Sequence, residues 1–287
     1  MNYQHSYHAG NFADVIKHSV LTLVLESFVQ KNTPFCFIDT HAGAGCYDIT
    51  SEHSEKTQEA AEGILKLLAD EANIPELLKS YLEGIKKAQL DQTKNNKSKV
   101  SQYPGSPWVA DRFCRGQDRM ILNELHPEAA RLLKRQFNSR DTAFVHERDA
   151  YEFLLGVLPP KEKRGIILID PPFEKKDEEH LIAHAMEKAL PRFTQGVYLI
   201  WFPLTGKHPV WTATPKLQTV LKSAKTLRVN IRLNSLRSSE EEGLIGTSLL
   251  VINPPYLLKE KLEKIMPYFI KLFGRDPRAG WDINISE

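Results

Sequence analysis

The stretch that most restricts how this chain can fold is Arg164-Gly-Ile-Ile-Leu-Ile-Asp-Pro-Pro-Phe173. Residues 166–169 are apolar and mostly β-branched with no polar alternation, the pattern of a parallel strand covered on both faces. Asp170-Pro171-Pro172-Phe173 ends it, because neither proline has an N–H for the ladder and each restricts the residue before it. A carboxylate is thereby left at the carboxyl end of a strand, where open α/β sheets bind ligands.

Such a group suits one kind of partner. The exocyclic amino group of a nucleobase donates two hydrogen bonds, which the Asp170 carboxylate and the Pro171 carbonyl can accept, and its ring can stack on Phe173. Pro172 stiffens the turn. Holding both hydrogens keeps the nitrogen lone pair out of the ring, as a weak amine needs if it is to attack an electrophilic methyl group. A Pro-rich turn after a strand is the plain alternative, but Asp-Pro-Pro-aromatic directly after a buried strand is much rarer than a single Asp-Pro.

With 287 residues the chain can form one substantial core and a small second lobe. Its net charge of +2 confines any nucleic-acid surface to a local patch. No apolar run approaches the roughly 20 residues of a spanning helix, and the start shows no cationic segment followed by an apolar one, so neither membrane nor secretion is expected. Cys36, Cys46 and Cys114 are odd in number and lack metal spacing, which fits a reducing cytoplasmic setting. His5, His8 and His18 likewise form no coordination set, so no metal is expected.

In chain order, a helix is predicted from about residue 11 or 14 to 30, with Tyr3, Lys17 and His18 placed to cover a neighbouring crevice. A strand over 35–38 runs into the small-residue turn 40–45, where Gly43 and Gly45 permit positive φ and close backbone approach. Lacking a third glycine, this turn is equally a simple strand–loop connection. His41 lies within it. Residues 51–100 show only helical stripes over a span far longer than an ordinary loop, which predicts a helical insertion. Ser106-Pro107 predicts an N-cap followed by proline in the first turn. A second strand over 120–122 ends before Glu124, where nucleoside-binding folds hold ribose hydroxyls, although an exposed loop Glu is as good a reading alone. A third, over 143–147, leads to Asp149. Helices over 127–137, 151–158 and 174–192, a strand over 196–202, a helix from Pro215 and a closing strand pair over 226–233 and 248–251 complete the pattern. Asn253-Pro254-Pro255-Tyr256 repeats the Asp170 motif after the last strand, far from the glycine turn, and reads as a structural turn.

Taken together, these motifs resemble the bacterial 23S ribosomal RNA adenine-N6 methyltransferases of the RlmJ type. The resemblance rests on His5-Ser6, His8-Ala-Gly-Asn11, Ala13-Asp-Val15, Lys17-His18, Asp39-Thr-His-Ala-Gly-Ala-Gly45, Ser51-Glu-His53, Tyr103-Pro-Gly-Ser-Pro107, Glu124-Leu-His-Pro127, Asp170-Pro-Pro172 and Ile252-Asn-Pro-Pro255. It implies a class I S-adenosyl-L-methionine-dependent α/β fold, Rossmann-like with a mostly parallel sheet. Residues 1–46 and 101–287 would form the methyltransferase domain, with 1–18 near the site, and 47–100 an inserted helical subdomain. It further implies cofactor contacts from His18, His41, Ser106, Glu124, Asp149, Ala150 and Asp170, with Asp170 catalytic. Tyr3 and Lys17, beside Pro171, Pro172 and Phe173, would handle the target adenosine. Two departures stand out: the family often has Tyr at the position of Phe173 and Gly at that of Ala150. The implied partner is 23S rRNA, free or in an assembling large subunit, with a monomer as default.

Lys94, Lys97, Lys99, Arg228, Arg232 and Arg237 are candidates for positioning phosphates, which adds salt-dependent affinity without sequence information. Other readings keep the fold but change the target to DNA adenine, cytosine N4 or guanine N2, or remove catalysis and leave an RNA-binding or ribosome-assembly factor. A nicotinamide dehydrogenase fits poorly with the incomplete glycine turn. A cysteine-nucleophile methyltransferase lacks a strand-end Pro-Cys.

Overall fold

The computed structural model of the chain describes residues 8–49, 59–92, 102–175, 177–206, 212–222, 224–234 and 243–286. Among them, eight strands form one sheet. The parallel part comprises β1 (Cys36–Asp39), β4 (Arg119–Asn123), β5 (Ala143–His146), β6 (Gly165–Ile169) and β7 (Val197–Thr205). β8 (Thr226–Arg232), β9 (Leu244–Ile252) and β10 (Gly280–Ser286) complete it in the order β10-β8-β9-β7-β6-β1-β4-β5, and β9 runs antiparallel to both β7 and β8.

The unbroken apolar run of β6 has a simple cause. Ile166 and Leu168 enter one hydrophobic cluster and Ile167 and Ile169 enter another, so both faces of the strand are covered. The first cluster contains α1 (Phe12–Val29) and α10 (Leu258–Phe273), and the second contains α7 (Ala150–Val157) and α8 (Glu178–Arg192). Register aligns the strand ends. Asp39 pairs with Leu122 on one side and Leu168 on the other, and Asn123 pairs with His146. The residues that follow β1, β4, β5 and β6 therefore emerge together along one edge.

Between β1 and β4 the chain leaves the sheet. β2 (Cys46–Asp48) and β3 (Gln102–Pro104) pair antiparallel with Tyr47 opposite Tyr103. Between them in sequence lie α2 (Glu59–Glu62), α3 (Ile64–Ala69) and α4 (Glu76–Gln92). Ala60, Ile64, Leu67, Leu78, Tyr81 and Ile85 from these helices share the hydrophobic cluster of α1. Covered by the sheet on one side and helices on the others, α1 buries even Asp14, Lys17 and His18.

Several elements differ from expectation. The α10 helix and β10, the latter antiparallel to β8, have no counterpart in the sequence reading. Ser106 is not an N-cap: Gly105 caps α5 (Ser106–Asp111) without a side-chain bond, and the Ser106 hydroxyl turns inward to Asp39. The helix expected from 174 begins at Glu178, because Phe173 takes a left-handed backbone and a turn closed by Glu178 N on the Lys175 carbonyl precedes the helix. β7 runs on to Thr205 and β9 starts at Leu244, each outlasting its apolar core because the two pair along most of their length.

Candidate active site

A cavity of about 520 Å3 opens at the aligned strand ends, within the ~300–1,000 Å3 usual for small-molecule sites. His18, Lys17, His41, Ser106, Glu124, Asp149, Ala150, Asp170, Pro171 and Pro172 all line it. Tyr3, Lys94, Lys97, Lys99 and Arg237 lie outside the described residues. Arg228 and Arg232 sit half-buried on β8, away from the cavity.

The glycine turn is shaped by its backbone. Gly43 has φ +62°, and a Cβ there would come within 1.9 Å of the Tyr47 hydroxyl, so only glycine fits. The Glu124 carboxylate bonds to this turn: one oxygen accepts from Gly43 N at 2.8 Å and the other from His126 N at 2.7 Å. Each oxygen keeps a further lone pair. Asn123 stitches the loops beneath. Its amide donates to the carbonyls of Thr40 (3.1 Å) and Arg148 (3.0 Å), and its oxygen accepts from Arg148 N. Asp149 caps α7, accepting from the backbone N–H groups of Tyr151 and Glu152 at 3.0 and 3.1 Å.

His41 makes a 2.8 Å bond through Nδ1 with the Thr40 hydroxyl and meets the Tyr151 ring edge-on at 6.1 Å. Burial pushes its pKa down to about 4, so it stays neutral across the physiological range. The Tyr151 hydroxyl donates to buried Glu178 at 2.5 Å, tying α7 to α8. Nearer Asp170, buried Asp39 accepts from the Ser106 hydroxyl at 2.6 Å and from His41 N at 3.2 Å. Burial nevertheless pushes Asp39 up to about 7; those two hydrogen bonds oppose the rise and the charge of Asp170 adds to it. His18 Nδ1 bonds the Tyr103 hydroxyl at 2.7 Å, and Tyr103 bonds Tyr81 at 3.1 Å.

At the β6 end the Lys17 ammonium sits between two carboxylates. It donates to Asp14 at 2.7 Å and makes a very short contact with Asp170. The side chains of Lys17 and Asp14 are about 5% and 3% exposed and that of Asp170 15%, so water screens the group little. Burial alone would lower the Lys17 pKa, but the two carboxylates outweigh it and hold the ammonium charged well above the usual range. Nζ also lies 5.9 Å from the centre of the Trp201 ring.

Phe173 is not among the residues lining the cavity. Its backbone is left-handed (φ +51°), which swings the ring back to meet Trp201 edge-on at 5.7 Å and Phe202 at 5.8 Å. An aromatic side chain on the cavity wall beside Lys17 is Trp201, whose indole N–H is fixed at 2.6 Å from the Thr247 hydroxyl. Sequence reasoning missed Trp201, Asp14, Leu125, Tyr151 and Glu178 in the lining. Leu125 carried a signal, being apolar and directly after the strand-end Glu124; it is 44% exposed and lines the cavity.

Parallel strands carrying small-residue and acidic loops at one edge, with an antiparallel strand inserted between β7 and β8, define a class I methyltransferase fold. The family model described as "Ribosomal RNA large subunit methyltransferase D, RlmJ" matches residues 32–285. Two curated proteins named "Ribosomal RNA large subunit methyltransferase J" are each 35% identical to the chain. That of Haemophilus influenzae aligns over 99% of this chain and 98% of its own length, and that of Escherichia coli over 93% and 92%. A crystal structure of a Legionella pneumophila protein superposes with a TM-score of 0.82 at 36% identity, covering 96% of this chain and 98% of that one. The chain belongs to the RlmJ family of ribosomal RNA large subunit methyltransferases.

Proposed function

We propose that this chain methylates N6 of one adenosine in 23S rRNA, using S-adenosyl-L-methionine as donor. The observation that carries the reading is the Asp170 carboxylate at the end of β6, inside a cofactor-sized cavity and within reach of the Lys17 ammonium.

The residues present fit the donor. Glu124, pinned by two backbone N–H groups, offers its remaining lone pairs to ribose hydroxyls, and Leu125 and Ala150 supply apolar walls beside it for an adenine ring. Asp149, His41, Ser106 and His18 complete the lining. When bound, the donor supplies the electrophilic methyl group. Methyl transfer is a direct displacement, so what the protein contributes is alignment and electrostatics. Asp170, with the Pro171 carbonyl, accepts from the target amino group and frees its lone pair. Trp201 takes the platform role that the sequence assigned to Phe173, and Phe173 buttresses it edge-on. An adenine within a helix must leave its stack to reach this depth. The stretch 47–100 is read as a helical insertion, and Glu59 from its described part lines the cavity.

Mapping N6-methyladenosine in 23S rRNA from cells with and without the chain tests the assignment directly. One adenosine should lose its mark when the chain is deleted and regain it on complementation. Nucleoside analysis after incubation with rRNA or DNA should show methyl transfer to RNA adenine alone. Methylated guanine N2, cytosine N4 or DNA adenine would transfer the assignment to that base, and no donor binding by calorimetry would leave an RNA-binding factor. In the same calorimetric assay Glu124→Gln should weaken donor binding by about 10-fold or more, since an amide N–H would face a backbone N–H on one side.

A further inference from the structure

We infer that Tyr103 is a positioning residue for the methyl donor, holding His18 in the tautomer that presents an N–H to the carboxylate at the donor's methionyl end. This rests on the S-adenosyl-L-methionine reading of the cavity. Tyr103 on β3 and Tyr81 on α4 are both buried, and their hydroxyl oxygens lie 3.1 Å apart. The Tyr103 hydroxyl is also 2.7 Å from Nδ1 of His18. The His18 and Tyr103 rings lie 23° from parallel with their centres 5.7 Å apart, which fixes the plane of the imidazole. Among the described residues the Tyr81 hydroxyl has no hydrogen-bond partner besides Tyr103.

Counting protons sets the direction of this chain of bonds, because a buried hydroxyl without an acceptor is costly. With a proton on Nδ1, His18 would donate to Tyr103, Tyr103 would have to donate to Tyr81, and the Tyr81 proton would be stranded. In the reverse order Tyr81 donates to Tyr103 and Tyr103 donates to Nδ1, so every proton is used. Nδ1 is then an acceptor, and the ring proton sits on Nε2. His18 lines the cavity and follows Lys17, whose ammonium pairs with Asp170 at the β6 end. The groups suited to the nucleoside, Glu124, Leu125 and Ala150, follow β4 and β5 instead. His18 therefore belongs with the amino-acid end of the donor, where the carboxylate is the donor's one anionic group and the natural acceptor for an imidazole N–H.

Tyr103→Phe keeps the ring and deletes the hydroxyl, and adding Tyr81→Phe avoids leaving an orphan donor behind. Nitrogen-15 spectra of imidazole-labelled protein read the tautomer directly. His18 of the wild type should carry its proton on Nε2, and the double variant should show a mixture of both tautomers. Calorimetry reads the consequence for binding. S-adenosyl-L-homocysteine, which keeps the carboxylate, should bind the double variant about 10-fold more weakly, while methylthioadenosine, which lacks the amino-acid end, should bind within about twofold of wild type. Tyr81→Phe alone should change neither, because Tyr103 still donates to Nδ1. Equal effects on the two ligands, whether a shared loss or none, would make Tyr103 a packing residue and overturn the inference, as would a wild-type proton on Nδ1. Should the double variant not fold, the wild-type spectrum decides. A His18 Nε2–H signal moved by S-adenosyl-L-homocysteine but not by methylthioadenosine supports the inference, and a signal moved by both or by neither refutes it. A wild-type chain that binds neither ligand defeats the donor reading itself, a failure distinct from a His18 proton on the wrong nitrogen.

Discussion

Asp170→Ala is expected to reduce methyl transfer by about 10³-fold or more while leaving the protein folded and able to bind the donor. The size follows from removing a group that positions and accepts from the reacting amine, a role worth roughly 10²–10⁴ in rate. Survival of the fold follows from the pairing around Lys17. Losing Asp170 still leaves the buried ammonium its 2.7 Å bond to Asp14, so no bare charge is created. The loss should be about 1–2 kcal/mol, a few degrees in melting temperature for a chain of this size. Single-turnover assays on unmodified 23S rRNA, with melting curves and calorimetry alongside, separate chemistry from folding. Turnover at the wild-type rate would remove Asp170 from the mechanism.

Lys17→Met is expected to do the opposite kind of damage. The variant leaves Asp14 and Asp170 facing each other without a cation, with buried Asp39 close by. Breaking a buried pair from the cationic side costs about 3–5 kcal/mol. The pH dependence has a definite sign. Asp39, already pushed up to about 7 by burial, loses the Lys17 charge that opposes that rise, so in the variant the folded state binds protons that the unfolded chain releases and stability falls as pH rises. Urea unfolding should therefore show the deficit largest near pH 8 and shrinking toward pH 5. Equal stability of variant and wild type at both pH values would mean that the triad does not form in solution.

The sequence revealed most where one physical rule dominated. The double burial of β6 left an apolar run too regular to be anything else, and Asp170-Pro171-Pro172 marked its end because proline cannot extend a ladder. Gly43 was legible as a turn glycine, although only the structure shows that the Tyr47 hydroxyl is what excludes a side chain. Three-residue strands such as β2 and β3 are too short to carry a period. The apolar stripe of α10 (Leu258, Leu262, Ile265, Phe269 and Phe273) does carry one, but Pro267 interrupts it and the Asn253-Pro254-Pro255 turn before it resembles a chain end. β10 alternates as an edge strand should, yet three of its seven residues are exposed, which weakens the apolar signal. Within the site, one-dimensional spacing placed Lys17 and His18 near the start of a helix. It could not place Asp170 beside them, nor show that a left-handed backbone turns Phe173 away and leaves Trp201 facing the cavity.

The attachment of the first described residues sets an order of events. His8 and Asn11 both bond to Glu59, at 2.6 and 2.9 Å, and the Gly10 carbonyl accepts from Ile64 N at 2.8 Å. A side chain at Gly63 would strike that same carbonyl, so the two segments lie backbone against backbone. This wall of the cavity consequently has no anchor until residues 59–64 have been added. α1 itself packs against β9 and α10, so on a growing chain this wall can settle only after the last strands of the core have been made.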